Sequence, residues 1–267
     1  MANAHPDDAW NKGDPYELYI GRWSGLVAKD FLAWLSPPPG LRWLDVGCGT
    51  GALTAAIAET CRPAQLVGVD PSAGFLTKAR ARLEGRATFH VGNAAEIPLP
   101  DASFDVVVSA LVLNFVPSPA SGLAEMKRTA AAGATIAAYV WDYAEKMLLI
   151  RHFWDAAVEL HPEAQQLDEG VRFPLCKPAA LSEAFRTAGF GEIEVAPIEI
   201  ATPFRDFDDY WTPFLGGQGP APSYAMSLDE PARARLRERV RERLPIQRDG
   251  SIPLVARAWA VKGRVPG

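Results

Sequence analysis

The stretch Leu41 to Ala52, LRWLDVGCGTGA, constrains this chain more than any other. It is entered from the breaker run SPPPG, so LRWLDV reads as a short apolar strand, and GCGTG reads as the tight turn that leaves it. In ALTAAIAE the residues Leu53, Ala56 and Ile57 fall three and four apart, which predicts a helix with one apolar face directly after the turn. Gly47, Gly49 and Ala52 satisfy G-x-G-x-x-A, the spacing that lets a backbone approach a ligand at a helix N-terminus. A second strand, QLVGVD, then ends on Asp70, where a carboxylate can accept hydrogen bonds from both hydroxyls of a ribose. Together these point to a nucleoside-containing ligand; a plain N-terminal helix cap is the alternative.

The alternation continues. Gly74 to Leu83 reads as a helix, Ala87 to Val91 and Ser103 to Ala110 as strands, Ala120 to Thr129 as a helix and Ala134 to Trp141 as a fifth strand. Strands joined this closely through helices are parallel neighbours with right-handed crossovers, which predicts an α/β, Rossmann-like doubly wound sheet. Ala144 to Leu160 carries apolar residues on most sides and is expected to be wedged between partners as a cap helix. Pro203 to Ser227 is aromatic without a clean period, and Glu192 to Ile200 alternates like an edge strand. Pro231 to Leu244 is arginine-rich, but its interleaved glutamates and its stripe of Leu236, Val240 and Leu244 favour a solvated outer face over an RNA-binding one. The expected organisation is an N-terminal cap segment over residues 1–40 and one domain over 41–267, with cap insertions near 142–177 and 203–245.

Composition narrows the partners. The 267 residues carry a formal charge of -5, so no global positive field gathers nucleic acid. Cys48, Cys61 and Cys176 lack C-x-x-C spacing and leave one unpaired under any disulfide scheme, which fits a reducing cytoplasm. No apolar run is long enough to insert into a membrane. His5, His90, His152 and His161 form no ligand cluster, so no metal is expected.

Asp45 separates the nucleoside ligands. It lies two residues before the first glycine, where a dinucleotide would bring an anionic pyrophosphate and S-adenosylmethionine a sulfonium and an ammonium. A carboxylate there attracts the second and repels the first; a strand-end hydrogen-bond acceptor is the plainer role. WLDVGCGTG, VGVDPS and the run VGNAAEIPLPDASFDVVVSALVLNFVPSPASGLAEMKRTAAAGATIAAYVW resemble the class I S-adenosylmethionine-dependent methyltransferases, particularly the small-molecule branch that includes the ubiquinone and menaquinone enzymes. The resemblance covers Leu41 to Val140 and implies a seven-stranded sheet whose last strand enters antiparallel beside the fifth, with the strand near Ile252 to Val261 in that place. It also implies S-adenosyl-L-methionine as cofactor. Asp45 and Gly47, Cys48, Gly49 and Gly51 would hold the methionine part, Asp70 and Pro71 the ribose, and Asn93 and Ala94 the adenine, with Ala110 at the end of the fourth strand. Asn93 stands where the family commonly has aspartate, and Leu113-Asn114-Phe115 where it commonly has histidine.

The expected reaction is in-line attack by an O, N or C nucleophile of a small, largely apolar or aromatic molecule on the sulfonium methyl, driven by alignment and exclusion of water. Arg22 is the candidate partner of the methionine carboxylate, through a two-pronged guanidinium match. Tyr16, Tyr19 and Trp23 either wall the cleft or anchor the segment. Asp142 and His152 are the candidate general bases, with a core histidine the alternative for His152, and Cys48 is expected to pack in the turn and not to act as a nucleophile. The competing functions are a dinucleotide-dependent oxidoreductase and a non-catalytic cofactor-binding regulator.

Overall fold

A computed structural model describes residues 17–217 and 219–267. Its strands are β1 (Arg42–Val46), β2 (Gln65–Asp70), β3 (Thr88–Val91), β4 (Phe104–Ala110), β5 (Ala130–Trp141), β6 (Gly191–Ala201) and β7 (Val255–Arg264). They form one seven-stranded sheet in the order β3-β2-β1-β4-β5-β7-β6. Pairing is parallel from β3 through β5, whereas β7 runs antiparallel between β5 and β6, as the resemblance implies. From β1 the chain winds outward through β2 and β3, then returns to lay β4 against the other side of β1. The C-terminal ends of β1 and β4 therefore flank the crevice where helices depart to opposite sides, the place where such sheets bind ligands.

Side-chain alternation divides the core in two. Leu44, Val46, Val67, Val69, Val107 and Ile136 pack on one face with α4 (Pro119–Thr129) and α7 (Pro178–Thr187), through Leu123, Met126, Leu181 and Phe185. Trp43, Val106, Val108, Ala137 and Tyr139 face the other way, against α1 (Arg22–Leu35), α2 (Ala52–Thr60) and α3 (Ala73–Leu83), through Phe31, Ile57 and Leu76. Burial on both faces explains why β4 reads as a nearly continuous apolar run.

The cap departs from expectation in detail. Its helix α5 (Leu148–Leu160) starts four residues later than its apolar content suggests, because the Asp142 carboxylate accepts the Glu145 N–H at 3.0 Å and the Asp142 carbonyl accepts that of Met147, making residues 142–147 a turn. The aromatic segment, for which the sequence shows no regular period, contains α8 (Phe207–Trp211), a 3₁₀ turn at Thr212–Gly216 and α9 (Pro220–Ser227). These elements are too short for a helical period to register over the window that periodicity needs. The two parts do pack together. The Phe153 ring lies parallel to Phe214 at 4.6 Å, and the Tyr210 hydroxyl donates to the Leu149 carbonyl at 2.7 Å. α10 (Glu230–Arg243) closes over α5 by ion pairs, Arg243 to Glu159 at 3.0 Å and Arg239 to the same carboxylate, while Arg237 and Arg241 sit over the Phe207 ring. Its arginines are thus largely committed to neighbouring acids and rings. No described helix is long and apolar enough to cross a membrane.

Phe153→Ala should therefore lower the unfolding free energy by about 3–5 kcal/mol, the usual cost of emptying a fully buried phenylalanine site. Because the ring belongs to the cap core, chemical denaturation should show this loss while far-UV circular dichroism retains the sheet signal.

Candidate functional site

The turn between β1 and α2 is held from three sides. Gly47 and Cys48 donate their N–H groups to the Val69 carbonyl at 2.7 and 3.1 Å, and Gly49 donates to Asp70 Oδ2 at 2.9 Å, tying the loop to β2. From below, Asp45 Oδ2 accepts the Thr54 hydroxyl at 2.6 Å, and the carboxylate also takes the Thr54 backbone N–H. Asp45 thereby caps the N-terminus of α2, where backbone donors lack intrahelical partners and negative charge is favoured. Gly47 has φ +74°, and a Cβ there would lie 2.6 Å from Val112 Cγ2, so only glycine permits this approach of the turn to the segment that follows β4.

A cavity of about 570 Å³ opens above the turn, within the usual range for small-molecule sites. At one end its wall is Gly47, Cys48, Gly49, Asp70, Pro71, Phe75, Asn93 and Ala94; at the other it is Ile20, Ser24, Phe115, Tyr139, Trp141 and Tyr143, with Ala110 and Leu111 between. Leu111 adopts φ +62°, a strained backbone for a branched residue, and its N–H is held by the Tyr139 carbonyl at 2.8 Å. Asp70 is the only charged side chain among the described residues of the wall.

Burial governs the chemistry of the turn. It raises the Asp45 pKa to about 7, against the opposing hydrogen bond from Thr54 and with further raising from Asp70; Asp45 Oδ1 is buried without a hydrogen-bond partner among the described residues. Burial also raises Asp70, although its oxygens accept the N–H groups of Gly49 and Ser72. A carboxylate has about four acceptor sites, so two remain for a ligand. Burial, reinforced by Asp45 and Asp70, pushes the Cys48 thiol up, which leaves it protonated and unsuited to nucleophilic attack.

Of the residues expected at the cofactor, Gly47, Cys48, Gly49, Asp70, Pro71, Asn93, Ala94 and Ala110 line the cavity. Gly51 caps α2 with φ +84°, beside Leu83 and Ala79, and Asp45 lies beneath the turn; neither forms part of the wall. Asn93 Oδ1 accepts the Ala95 N–H at 2.7 Å, bending the chain at the cavity edge.

Four candidates fall outside the cavity wall, Tyr19 and His152 in line with their alternative readings as an anchor and a core histidine. Arg22 is paired with Asp209 through both terminal nitrogens, at 3.1 and 3.3 Å, and stacks on Trp23 and Phe204, so it ties the N-terminal segment to the cap. Tyr19 is buried behind the wall, edge-on to Phe214. Asp142 is 1% exposed and pairs with Arg257 at 2.5 Å, which locks the corner after β5 and keeps it from serving as a base in the cavity. His152 sits on α5 outside the wall, and burial there lowers its pKa. Each of these groups found its partner in a distant segment that one-dimensional spacing does not bring near. Tyr16 and His5 lie outside the described residues. Among those residues no group of three or more His, Cys, Asp or Glu side chains could hold a metal.

The aromatic part of the wall was missed. It does not come from the Phe204 to Tyr224 segment, which forms the cap's own core, but from Tyr139 and Trp141 of β5 and Tyr143 in the turn just beyond it. The signal was present: residues two apart at a strand end share one face.

The residues that fold into this site match a family model described as a methyltransferase domain, over residues 44–138. A demethylmenaquinone methyltransferase from Anoxybacillus flavithermus is 30% identical over 186 residues, covering 63% of this chain and 78% of that protein. A trans-aconitate 2-methyltransferase from Deinococcus radiodurans is 28% identical, covering 73% and 74%. A phosphoethanolamine N-methyltransferase 2 from Haemonchus contortus, solved with S-adenosylhomocysteine, shares the fold at a TM-score of 0.57 and 18% identity, over 95% of this chain and 56% of its own. The fold and site define a class I methyltransferase architecture. The chain belongs to the methyltransferase-domain family, within the class I S-adenosylmethionine-dependent superfamily.

The buried Asp45 carries a pH signature. Its pKa is 3.8 unperturbed and about 7 in the fold, so its contribution to stability is fully present below pH 3.8 and is lost as pH rises through 7. Asp45→Asn, which keeps an acceptor for Thr54, should remove this loss. The difference in unfolding free energy between variant and parent should shift in the variant's favour by on the order of 4 kcal/mol between pH 4 and 8. Urea titrations at intermediate pH values measure it.

Proposed function

We propose that this protein transfers the methyl group of S-adenosyl-L-methionine to a small, largely apolar or aromatic acceptor. The observation that carries the reading is the pairing of a glycine turn with two coupled carboxylates, Asp45 and Asp70, at the switch point of the sheet, under a cavity whose other described wall residues are uncharged. An anionic pyrophosphate would meet like charge here, whereas a sulfonium and an ammonium meet compensating charge. The donor set also fits the rest of the cofactor. Gly49, with φ +54° and open space where a Cβ would be, lets a ligand reach the backbone; Asp70 suits a ribose, and Phe75 with Asn93 and Ala94 suits a purine. With Arg22 engaged elsewhere, the N-terminus of α2 is the described feature that favours the methionine carboxylate.

When bound, S-adenosylmethionine supplies an activated methyl group on a good leaving group. The chain's own part is to orient and exclude water. Phe115, Tyr139, Trp141 and Tyr143 give the cavity an aromatic lining, suited to a flat ring. The name of the Anoxybacillus relative, a quinone-directed enzyme, supports an aromatic acceptor. No cationic side chain among the described wall residues awaits a carboxylate or phosphate, which disfavours the acceptor types named for the other two relatives.

Calorimetry with the purified protein tests the cofactor. S-adenosylmethionine and S-adenosylhomocysteine should bind and NAD should not, and Asp70→Ala should weaken both sulfur nucleosides by roughly tenfold or more, as loss of charged hydrogen bonds implies. NAD binding without a response to either sulfur nucleoside refutes the proposal.

A further inference from the structure

The end of β5 carries a hydrogen-bond donor that the fold does not use. Trp141 is 1% exposed, and its indole Nε1 has no hydrogen-bond partner among the described residues. A buried tryptophan N–H ordinarily finds a partner, because a donor taken out of water and left unpaired is costly. Asp45 Oδ1, Ser109 Oγ and Thr202 Oγ1 are also buried without a partner among those residues, but of the atoms in this state only Trp141 Nε1 belongs to a residue that lines the cavity. The carbonyls that follow the indole in sequence are already engaged. That of Asp142 accepts the Met147 N–H at 2.9 Å, and that of Tyr143 accepts Arg151 at 2.8 Å beneath α6 (Glu169–Arg172), where a Cβ on Gly170 would lie 2.7 Å from the same oxygen. The strand end is also pinned. Trp141 pairs with Ala258 of β7, the Asp142 N–H donates to the Arg257 carbonyl at 2.9 Å, and the Asp142 carboxylate holds the Arg257 guanidinium. A partner for this indole therefore arrives through the cavity.

Its place in the sheet separates it from the nucleoside. Along the order β2-β1-β4-β5, Asp70 ends β2 and Trp141 ends β5, three strand spacings apart, or about 14 Å at the usual interstrand distance. A ribose held by Asp70 is too small to bridge that gap, and the glycine turn at the end of β1 lies between the two. Resting on the methyl-transfer reading, we propose that Trp141 is a specificity-determining residue for the methyl acceptor, its indole N–H donating to a neutral, carbonyl-type oxygen on a flat aromatic ring. An indole N–H only donates, so it recognises an oxygen lone pair and gains nothing from a hydrocarbon edge. A carboxylate oxygen is disfavoured, since the described wall supplies no cation and the Asp70 charge faces the same cavity. The ring is matched by Phe115, Tyr143 and Tyr139, the last lying two residues before Trp141 on the same strand face. A site built around a hydrogen bond rejects an analogue without the oxygen more strongly than an apolar pocket rejects one lacking a methylene. Fixing the oxygen also stops the ring from turning in its own plane, which selects the edge that meets the cofactor methyl.

The test uses the full chain loaded with S-adenosylhomocysteine and titrated with acetophenone, with ethylbenzene, which has a methylene in place of the carbonyl, and with benzoate. Affinities are read from backbone-amide shifts in nuclear magnetic resonance spectra, and the indole N–H signals are followed in the same spectra. Acetophenone should bind roughly tenfold or more tighter than ethylbenzene and tighter than benzoate. One indole proton should move downfield with acetophenone, stay in place with ethylbenzene, and show a nuclear Overhauser contact to the bound ketone; Trp141 is the only tryptophan among the described wall residues. Trp141→Phe keeps a ring and removes the N–H, so it should bring acetophenone and ethylbenzene within about twofold of each other while binding S-adenosylhomocysteine within about twofold of the parent. Should that variant not fold, the indole signals of the parent decide alone. A parent that binds S-adenosylhomocysteine but shows no preference for the ketone, binds none of the probes, binds benzoate best or leaves every indole signal unmoved overturns the role of Trp141. A phenylalanine variant that keeps the ketone preference does the same, and one that loses S-adenosylhomocysteine affinity places the N–H at the cofactor instead. Failure of the parent to bind S-adenosylhomocysteine overturns the methyl-transfer reading beneath it.

Discussion

The hydrogen bonds between Asp45 and Thr54 carry the geometry of the whole site. A strand that ends in a carboxylate, a glycine turn that passes above it and a helix whose first donors return to that carboxylate form one closed unit. Gly47 and Cys48 then bond Val69, and Gly49 bonds Asp70, so the position of β2 is read directly by the turn. The cavity inherits its floor from this unit and its negative charge from the same two residues. Burying a carboxylate is costly, and Asp45 Oδ1 has no hydrogen-bond partner among the described residues. A helix N-terminus above it offsets part of that cost.

The cap is built on a different principle. Its interior is stacked rings, Phe153 on Phe214 and Phe207 on Trp211, and its exterior is a belt of ion pairs between α10 and α5. Exposed pairs of this kind contribute little singly, but several converge on Glu159 and Asp155. Arg22 joins the two systems, its guanidinium lying on rings and its charge meeting Asp209. The N-terminal segment is fastened to the cap by this contact, which leaves the cavity wall beside it to Ile20 and Ser24.

Legibility followed sequence distance. The turn and the residues around it were readable because Asp45, Gly47, Gly49 and Asp70 lie within one strand–helix–strand unit, where local spacing and spatial neighbourhood coincide. Asn93, Ala94 and Ala110 followed from the family resemblance. Arg22, Asp142 and His152 were chosen for their chemistry near the cleft in sequence, and the structure places all three outside the cavity wall. Asp209, Arg257 and the cap core are their neighbours, and they lie far along the chain or come together only when insertions fold back.

What the sequence determined by itself was the doubly wound core and the character of its glycine turn: alternation of apolar strands and helices dictates the layers, and glycines at positive φ dictate the turn. The tertiary structure decided which polar groups face the cavity. Ion pairing and burial depend on distances across elements, so only the packed chain shows that Arg22 is already neutralised by Asp209, that Asp142 is locked by Arg257, and that Tyr139, Trp141 and Tyr143 line the cavity.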